Sequence, residues 1–418
     1  MTAATTTPRA GVFPLLLFAS TLTVMAGSVL SPVIEVLRGD LGVSGTAAGL
    51  VVTVHSLGIA LVSPFAGRLL DRFGTRVPLA FGLLVYGVAG GAGALIDSYP
   101  ALIVARLVFG AGASFVFAGT TVALLSLYQG RAKDRAMGWR STATSLGGVL
   151  WPLAAGAVGG ISWHLPFAIY LIAVPLGIAT LFVLPKHVVP AGGPAGAPMG
   201  ALTLLRRHRI LLAWYGLQFL SSLLLYALMV FLPQQLAAAG VTSPMLVSLY
   251  TVAMSAVMSL IGLGYAPLRE RLGERTLLHV AVALWVVAFA LLAVTSQPVL
   301  LFLVPVLFGI GQGVFFPVVT VLIGEGVPEA VRGQATSLSG TATFAGQFVS
   351  PLLVGPLLAA TGFEAGFFLV AGVPALALAA LLFTRNARRG TRTAPPAGAD
   401  PAAGTTEAPA ASHSATVR

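Results

Sequence analysis

Gly67-Arg-Leu-Leu-Asp-Arg-Phe-Gly-Thr-Arg76 is a charged island between two long apolar runs, and it returns once. Residues 266 to 275 read Ala-Pro-Leu-Arg-Glu-Arg-Leu-Gly-Glu-Arg. A shift of 199 positions therefore carries Asp71 onto Glu270, Arg72 onto Arg271, Gly74 onto Gly273 and Arg76 onto Arg275. The same shift lays Leu-Val-Phe-Gly-Ala-Gly at 107–112 on Val-Leu-Phe-Gly-Ile-Gly at 306–311, and Pro152 and Gly156 on Pro351 and Gly355. One offset shared by separate segments makes the chain two copies of one unit, fused head to tail.

Composition says where that unit lives. Mean hydropathy is +0.95, 57% of residues are hydrophobic and only 8% are charged, against about 25% charged in soluble domains. This is the composition of an integral membrane protein. Apolar runs of bilayer-spanning length, about 20 residues, are predicted over 12–34, 46–66, 77–96, 99–126, 139–161 and 165–185 in the first copy. In the second they cover 210–233, 244–266, 276–295, 298–324, 334–361 and 365–384. The expected fold is an all-α membrane protein with twelve transmembrane helices in two pseudo-symmetric six-helix bundles, 12–185 and 210–385. Residues 1–11 form a cytoplasmic start, the Pro/Gly-rich stretch 186–209 a cytoplasmic linker and 386–418 a disordered cytoplasmic tail. The first apolar run superficially resembles a signal peptide, but it continues to Ile34 and reads as an uncleaved helix.

Lys and Arg accumulate on the cytoplasmic side of membrane proteins. Placing both termini in the cytoplasm of a cell whose plasma membrane the chain spans puts nearly every basic residue outside the spans on that side, with Arg38 the exception. The net charge of +11 follows from this topology, so no nucleic-acid partner is needed to explain it. The absence of cysteine excludes disulfides and thiolate chemistry.

Ionisable groups inside spans are expensive and point to function or to a paired structural role. His55 lies in the middle of the second span and Arg106 within the fourth, while Glu35 closes the first. A guanidinium does not deprotonate, so Arg106 needs carbonyls, water or an acid around it. His55 is read either as a proton carrier or as a neutral imidazole bonded to a neighbouring helix. The second-copy counterpart of Arg106 is Pro305, which makes any site asymmetric.

The 67–76 stretch, with Gly67, Leu69, Asp71, Arg72, Gly74 and Arg76 in place and Thr75 where a basic residue is usual, resembles the loop signature of the major facilitator superfamily. Leu102, Arg106, Gly110, Gly112 and Ala113 resemble the fourth-span signature of its proton-driven members, with Phe109 replacing a glutamine. Gly147, Pro152 and Gly156 are similar to its drug-antiporter signature, in which Trp151 stands where a glycine is usual. The resemblance implies alternating access between two rocking halves, and a cavity lined by spans 1, 4, 7 and 10. Its polar and aromatic members would include Thr21, Phe117, Gln218, Tyr226, Gln312 and Phe316.

Gly67 and Gly74 are expected as turn glycines, and Asp71 is expected to meet the start of the eleventh span near 334–337 when the outer side is open. Positive-inside topology alone also accounts for Arg72, Arg76, Arg271 and Arg275. The expected activity is proton-coupled export of a lipophilic small molecule, a drug or secondary metabolite, with Glu35 and His55 as proton carriers. The alternative is uptake of a small organic anion with Arg106 as its carboxylate partner. No phosphate-cradling loop, metalloprotease helix or nucleophile elbow is present, so enzymatic and ATP-driven functions are excluded. The expected partners are a small-molecule substrate, protons and the lipid bilayer, with no cofactor or metal and a monomer as the working unit.

Overall fold

The structure is a computed structural model that describes residues 11–185 and 201–390 of the chain. Among the described residues every regular element is helical. The first half holds α1 (Val12–Ser28), α2 (Gly45–Phe73), α3 (Arg76–Gly91), α4 (Tyr99–Leu127), α5 (Gly130–Gly159) and the interrupted α6 (Leu165–Val183). The second holds α7 (Ile210–Ala238), α8 (Pro244–Leu263), α9 (Tyr265–Val294) and α10 (Leu303–Glu325). Helix Glu329–Gly390 bends at Gly362 into α11 (329–361) and α12 (363–390). Short helices Ile34–Asp40 and Ala201–Arg207 stand outside these spans. The described residues up to Leu378 form one compact unit, and a second unit begins at Ala379.

Several boundaries move, for one physical reason. Charged loops remain helical where water solvates their side chains, so α5 begins at Gly130 rather than 139, and α9 at Tyr265 rather than 276. Part of the expected linker is the helix Ala201–Arg207, and the expected tail starts inside a helix that runs to Gly390. Residues 1–10, 186–200 and 391–418 lie outside the described residues. Gly67 is not a turn glycine. It sits inside α2 with open space where a side chain would be, and the reversal is made by Gly74 alone, at φ 73°. Gly273, its repeat partner's equivalent, has φ 74°, a region that L residues with a Cβ avoid.

The repeat read from the sequence recurs in atomic contacts. A Cβ added to Gly110 would strike the His55 carbonyl, and one on Gly309 would lie 2.7 Å from the Met254 carbonyl oxygen. Gly112 likewise abuts Gly82 and Tyr86, while Gly311 abuts Ala281 and Trp285. Each partner is 199 positions from its counterpart. Backbone-to-backbone approach of this kind supplies packing in lipid, where no hydrophobic force acts between helices.

The two halves meet at the end of the helices poor in arginine. Ser31 Oγ donates to the Met229 carbonyl at 2.6 Å, and Gln234 Nε2 reaches the Gly45 carbonyl at 3.5 Å. Gly49 packs on Val230 and Pro351, Gly156 on Ser248, and Gly355 on Thr46. At mid-depth Ser56 Oγ donates to Gln347 Oε1 at 2.7 Å, and Phe117 meets Phe344 edge-on at 6.0 Å between ring centres. The residues beyond, toward the arginine-rich end, include the exposed Arg332, Thr336, Ser337 and Thr341 of α11. The antiporter-like Gly147 lies against the backbone of Thr21, and Pro152 continues α5 within its helix.

Candidate functional site

α1 is held by side-chain donors from four neighbouring helices. Trp151 Nε1 on α5 donates to the Thr21 carbonyl at 3.1 Å, and the Tyr86 hydroxyl on α3 donates to Leu22 at 2.7 Å. The Tyr170 hydroxyl on α6 reaches Met25 and Ala26, each at 3.3 Å, and Arg106 Nη2 on α4 donates to Ala26 at 2.6 Å. A helical carbonyl already bonded within its own helix has a second lone pair, so these donors are satisfied without unwinding α1.

Arg106 is 1% exposed, and no carboxylate faces it. Besides Ala26 it donates from Nε to the Val51 carbonyl at 3.0 Å. Its Cζ stands 4.3 Å from the Phe109 ring centre and 5.5 Å from that of Tyr170, close enough for cation–π attraction. Nη1 is buried without a partner. The charge is thus stabilised by carbonyl dipoles and aromatic faces, an incomplete shell by the standard of buried ions.

His55 stands beside it. Nδ1 lies 2.7 Å from the Val52 carbonyl, and since a carbonyl only accepts, the ring proton belongs on Nδ1. Arg106 Nη2 lies 3.4 Å from that same Nδ1, so this is an approach of two donors rather than a hydrogen bond. Nε2 is left as an acceptor. Its neighbour Ser56 Oγ, 3.5 Å away, already donates to Gln347. Tyr226 of α7 closes the pocket at 6.3 Å between ring centres, and it fits because Gly27 has no side chain to obstruct its hydroxyl.

The structure brings together His55, Arg106 and Tyr226 from the expected set, but not Glu35. That residue forms a forked ion pair with Arg38, its Oε2 2.8 Å from Nη2, at the arginine-poor end. In the second half Gln312 Oε1 accepts from Ser221 at 2.9 Å, with Gln218 buried on the same helix as Ser221. Phe117 and Phe316 are 47% and 55% exposed, occupying equivalent positions in the repeat. Among the loop residues, Asp71 and Arg72 are exposed and Asp71 makes no bond or ion pair, while Arg76 donates to the Leu181 carbonyl. Glu270 and Arg271 are exposed, and the ion pair there joins Arg269 to Glu274 instead. Glu325 also lies 3.4 Å from Arg269. Tyr86, Tyr170 and Gln347 were missed in the sequence reading; a tyrosine in mid-span, where its hydroxyl needs a partner, is the signal that points to the first two.

A sequence profile described as Major Facilitator Superfamily matches residues 16–263 and 215–413. The chain belongs to the major facilitator superfamily. Its family and fold are those of membrane transporters, not enzymes. Multidrug resistance protein 1 of Bacillus subtilis (strain 168) is 31% identical over 154 residues, covering 36% of this chain and 40% of that protein. Quinolone resistance protein NorA of Staphylococcus aureus is 29% identical over 136 residues, covering 32% and 35%. The matches therefore span two-fifths or less of those relatives' own length. Among solved structures, a bacterial homolog of the human lysosomal transporter Spinster, in an inward-facing and occupied conformation, superposes with a TM-score of 0.78. It is 14% identical, covering 93% of this chain and 99% of that one. The nucleoside transporter NupG gives a TM-score of 0.73 at 17% identity, covering 89% and 99%. At such identities the likeness is one of fold.

Proposed function

We propose that the chain is a secondary active transporter that couples proton movement to export of a lipophilic small molecule, working as a monomer in the plasma membrane. The observation that carries the coupling is the His55 and Arg106 pair. None of the chain's twelve acidic residues falls within a membrane-crossing stretch, whereas His55 is buried with an unprotonated Nε2. A proton on Nε2 would place an imidazolium beside a guanidinium whose Nη2 is 3.4 Å from Nδ1. Repulsion at that range amounts to several kcal/mol inside a protein. Loading His55 therefore favours a state in which α2 and α4 have separated locally, and unloading favours the state described above. That linkage is what an antiporter needs.

The direction follows from charge topology. The arginine-rich end belongs in the cytoplasm with both termini, so halves joined at the opposite end describe an inward-open state. Substrate enters from the cytoplasm, the halves rock about the central cluster, and protonation from outside resets the cycle. Drug resistance in the names of the Bacillus and Staphylococcus relatives supports export. Uptake of an anion on Arg106 is the weaker reading, because that guanidinium is enclosed by Phe109, Tyr170 and backbone carbonyls rather than open to the halves' interface.

The experiment uses inside-out vesicles, acidified within by respiration and followed with a pH-sensitive dye. Lipophilic compounds should release protons from wild-type vesicles and not from vesicles carrying Arg106→Ala. Silence with every lipophilic compound, together with carboxylate uptake by whole cells, would replace export by anion import.

A further inference from the structure

The proposed cycle uses one buried cation, yet a second stands unpaired at the junction of the halves. Arg140 on α5 makes no hydrogen bond and no ion pair among the described residues, and its Nε is buried without a partner. Its Nη atoms are not enclosed in this way. The guanidinium carbon lies 5.9 Å from the ring centre of Phe117 on α4, and Phe117 meets Phe344 of α11 edge-on. Arg140 is thus aimed at the seam between the halves, near the aromatic pair that bridges it, and not at the lipid.

A part-buried guanidinium without a counter-anion is incompletely solvated, and a carboxylate supplies the missing charge together with two parallel hydrogen bonds. Phe117 is 47% exposed, so a flat apolar body could lie against it while an acidic group reaches Arg140. The site continues along α5. Arg140, Thr144, Gly147 and Trp151 recur at helical spacing on one face, with Trp151 edge-on to the exposed Phe18 of α1. A lipophilic cation finds no matching partner here. No carboxylate lies within any spanning stretch, and both in-span arginines, Arg106 and Arg140, repel it.

We propose that Arg140 with Phe117 and Phe344 recognises the acidic group of a planar aromatic anion, so that the exported lipophile is an anion rather than a cation. This rests on the transport reading and names its substrate class. The site is separate from the proton pair. Eleven residues of α4 divide Phe117 from Arg106, roughly 16 Å along the axis at about 1.5 Å per residue.

The test is equilibrium dialysis of the purified full chain in detergent, without any gradient, against radiolabelled 2-naphthoate, 2-naphthamide and 2-naphthylmethylammonium. These probes share a ring system and differ in charge. Naphthoate should bind at least about tenfold more tightly than the other two. Arg140→Gln should bring naphthoate to the level of the amide and leave the amide unchanged. Equal or tighter binding of the ammonium probe, or a naphthoate preference that survives Arg140→Gln, overturns the proposal. Should Arg140→Gln lose the amide as well, Arg140→Lys decides: a forked contact requires a several-fold loss of the preference, and an unchanged preference refutes it. Failure of export leaves its own mark. Naphthoate discrimination without proton-linked transport refutes only the export reading, and proton-linked transport without that discrimination refutes only the anion site.

Discussion

Arg106 Nη2 and His55 Nδ1 approach to 3.4 Å as two donors, each satisfied by a different carbonyl, Ala26 for the arginine and Val52 for the histidine. The pair is therefore not held together by a bond between its members. Packing and backbone carbonyls impose it, and its energy depends on the charge of His55.

His55→Gln tests that dependence. Glutamine retains a donor for the Val52 carbonyl and an acceptor for Ser56 but takes up no proton. Substrate affinity should stay within about threefold, and substrate exchange without a gradient should persist, because less than 1 kcal/mol of binding is at stake. Uphill export driven by a proton gradient should vanish. Retained gradient-driven export in proteoliposomes would remove His55 from the proposed cycle.

Arg106→Met separates charge from volume. A buried cation without an acid is a poor source of stability, and an apolar side chain of similar length often replaces buried charge at little loss. Thermal unfolding in detergent should show Arg106→Met within about 1 kcal/mol of wild type. Arg106→Ala should lose roughly 2–4 kcal/mol through the cavity it leaves. Both should lose proton coupling. An Arg106→Met protein as unstable as Arg106→Ala would mean that the guanidinium is structural.

These residues mark the limits of what the sequence revealed. The duplication was legible because close approach demands glycine at the same place twice, and Gly110 with Gly309 and Gly112 with Gly311 bear it out in the contacts they make. Arg106 and His55 were legible because a charge or an imidazole has no bland place inside an apolar helix. Arg140 was read only as a basic residue of the cytoplasmic side, since the turn of α5 that carries it was assigned to the edge of the membrane. The partners Tyr86, Tyr170 and Gln347 were not legible either. In helices that are apolar all round, periodicity does not tell which face meets a neighbour and which meets lipid. Gly67 was misread because a sequence motif shows that a reversal is near without showing which glycine makes it.

That last distinction yields a stability prediction. Gly74 and Gly273 combine φ of 73° and 74° with ψ of 179° and 154°, a region that is essentially glycine's own. Gly74→Ala and Gly273→Ala should each cost about 1–3 kcal/mol of stability. Gly67→Ala, in mid-helix with open space around it, should be neutral or stabilising by up to about 1 kcal/mol. Thermal unfolding of the three variants checks the order, and a destabilised Gly67→Ala would restore the sequence reading.

Ser56 and Gln347 join the halves near the proton pair, at 2.7 Å. Removing the bond with Ser56→Ala should weaken closure of the arginine-poor end by about 1 kcal/mol, or about fivefold in population. The chain has no cysteine, so a single Val230→Cys, placed where α7 packs on Gly49, gives a clean reporter. Its labelling by a membrane-impermeant maleimide should accelerate about fivefold when Ser56→Ala is added. No change in rate would show that the bond does not bear on closure.

Asp71 makes no bond here, although it ends a loop written twice in the sequence. Its proposed partner is the start of α11, near Gln334 to Ser337, once the arginine-rich ends close together. A carboxylate near a helix start is stabilised by free backbone N–H groups and the helix dipole, by typically 0.3–1 kcal/mol. The contact would then weight the outward-open state without locking the cycle. In the cysteine-free chain, Asp71→Cys with Ser337→Cys should form a disulfide slowly in the inward-open state and faster when a proton gradient and substrate drive turnover. Once formed, the bond should stop transport, and reduction should restore it. Rapid cross-linking without turnover, or transport that continues through the oxidised protein, would rule out Asp71 as a residue of the outward-open gate.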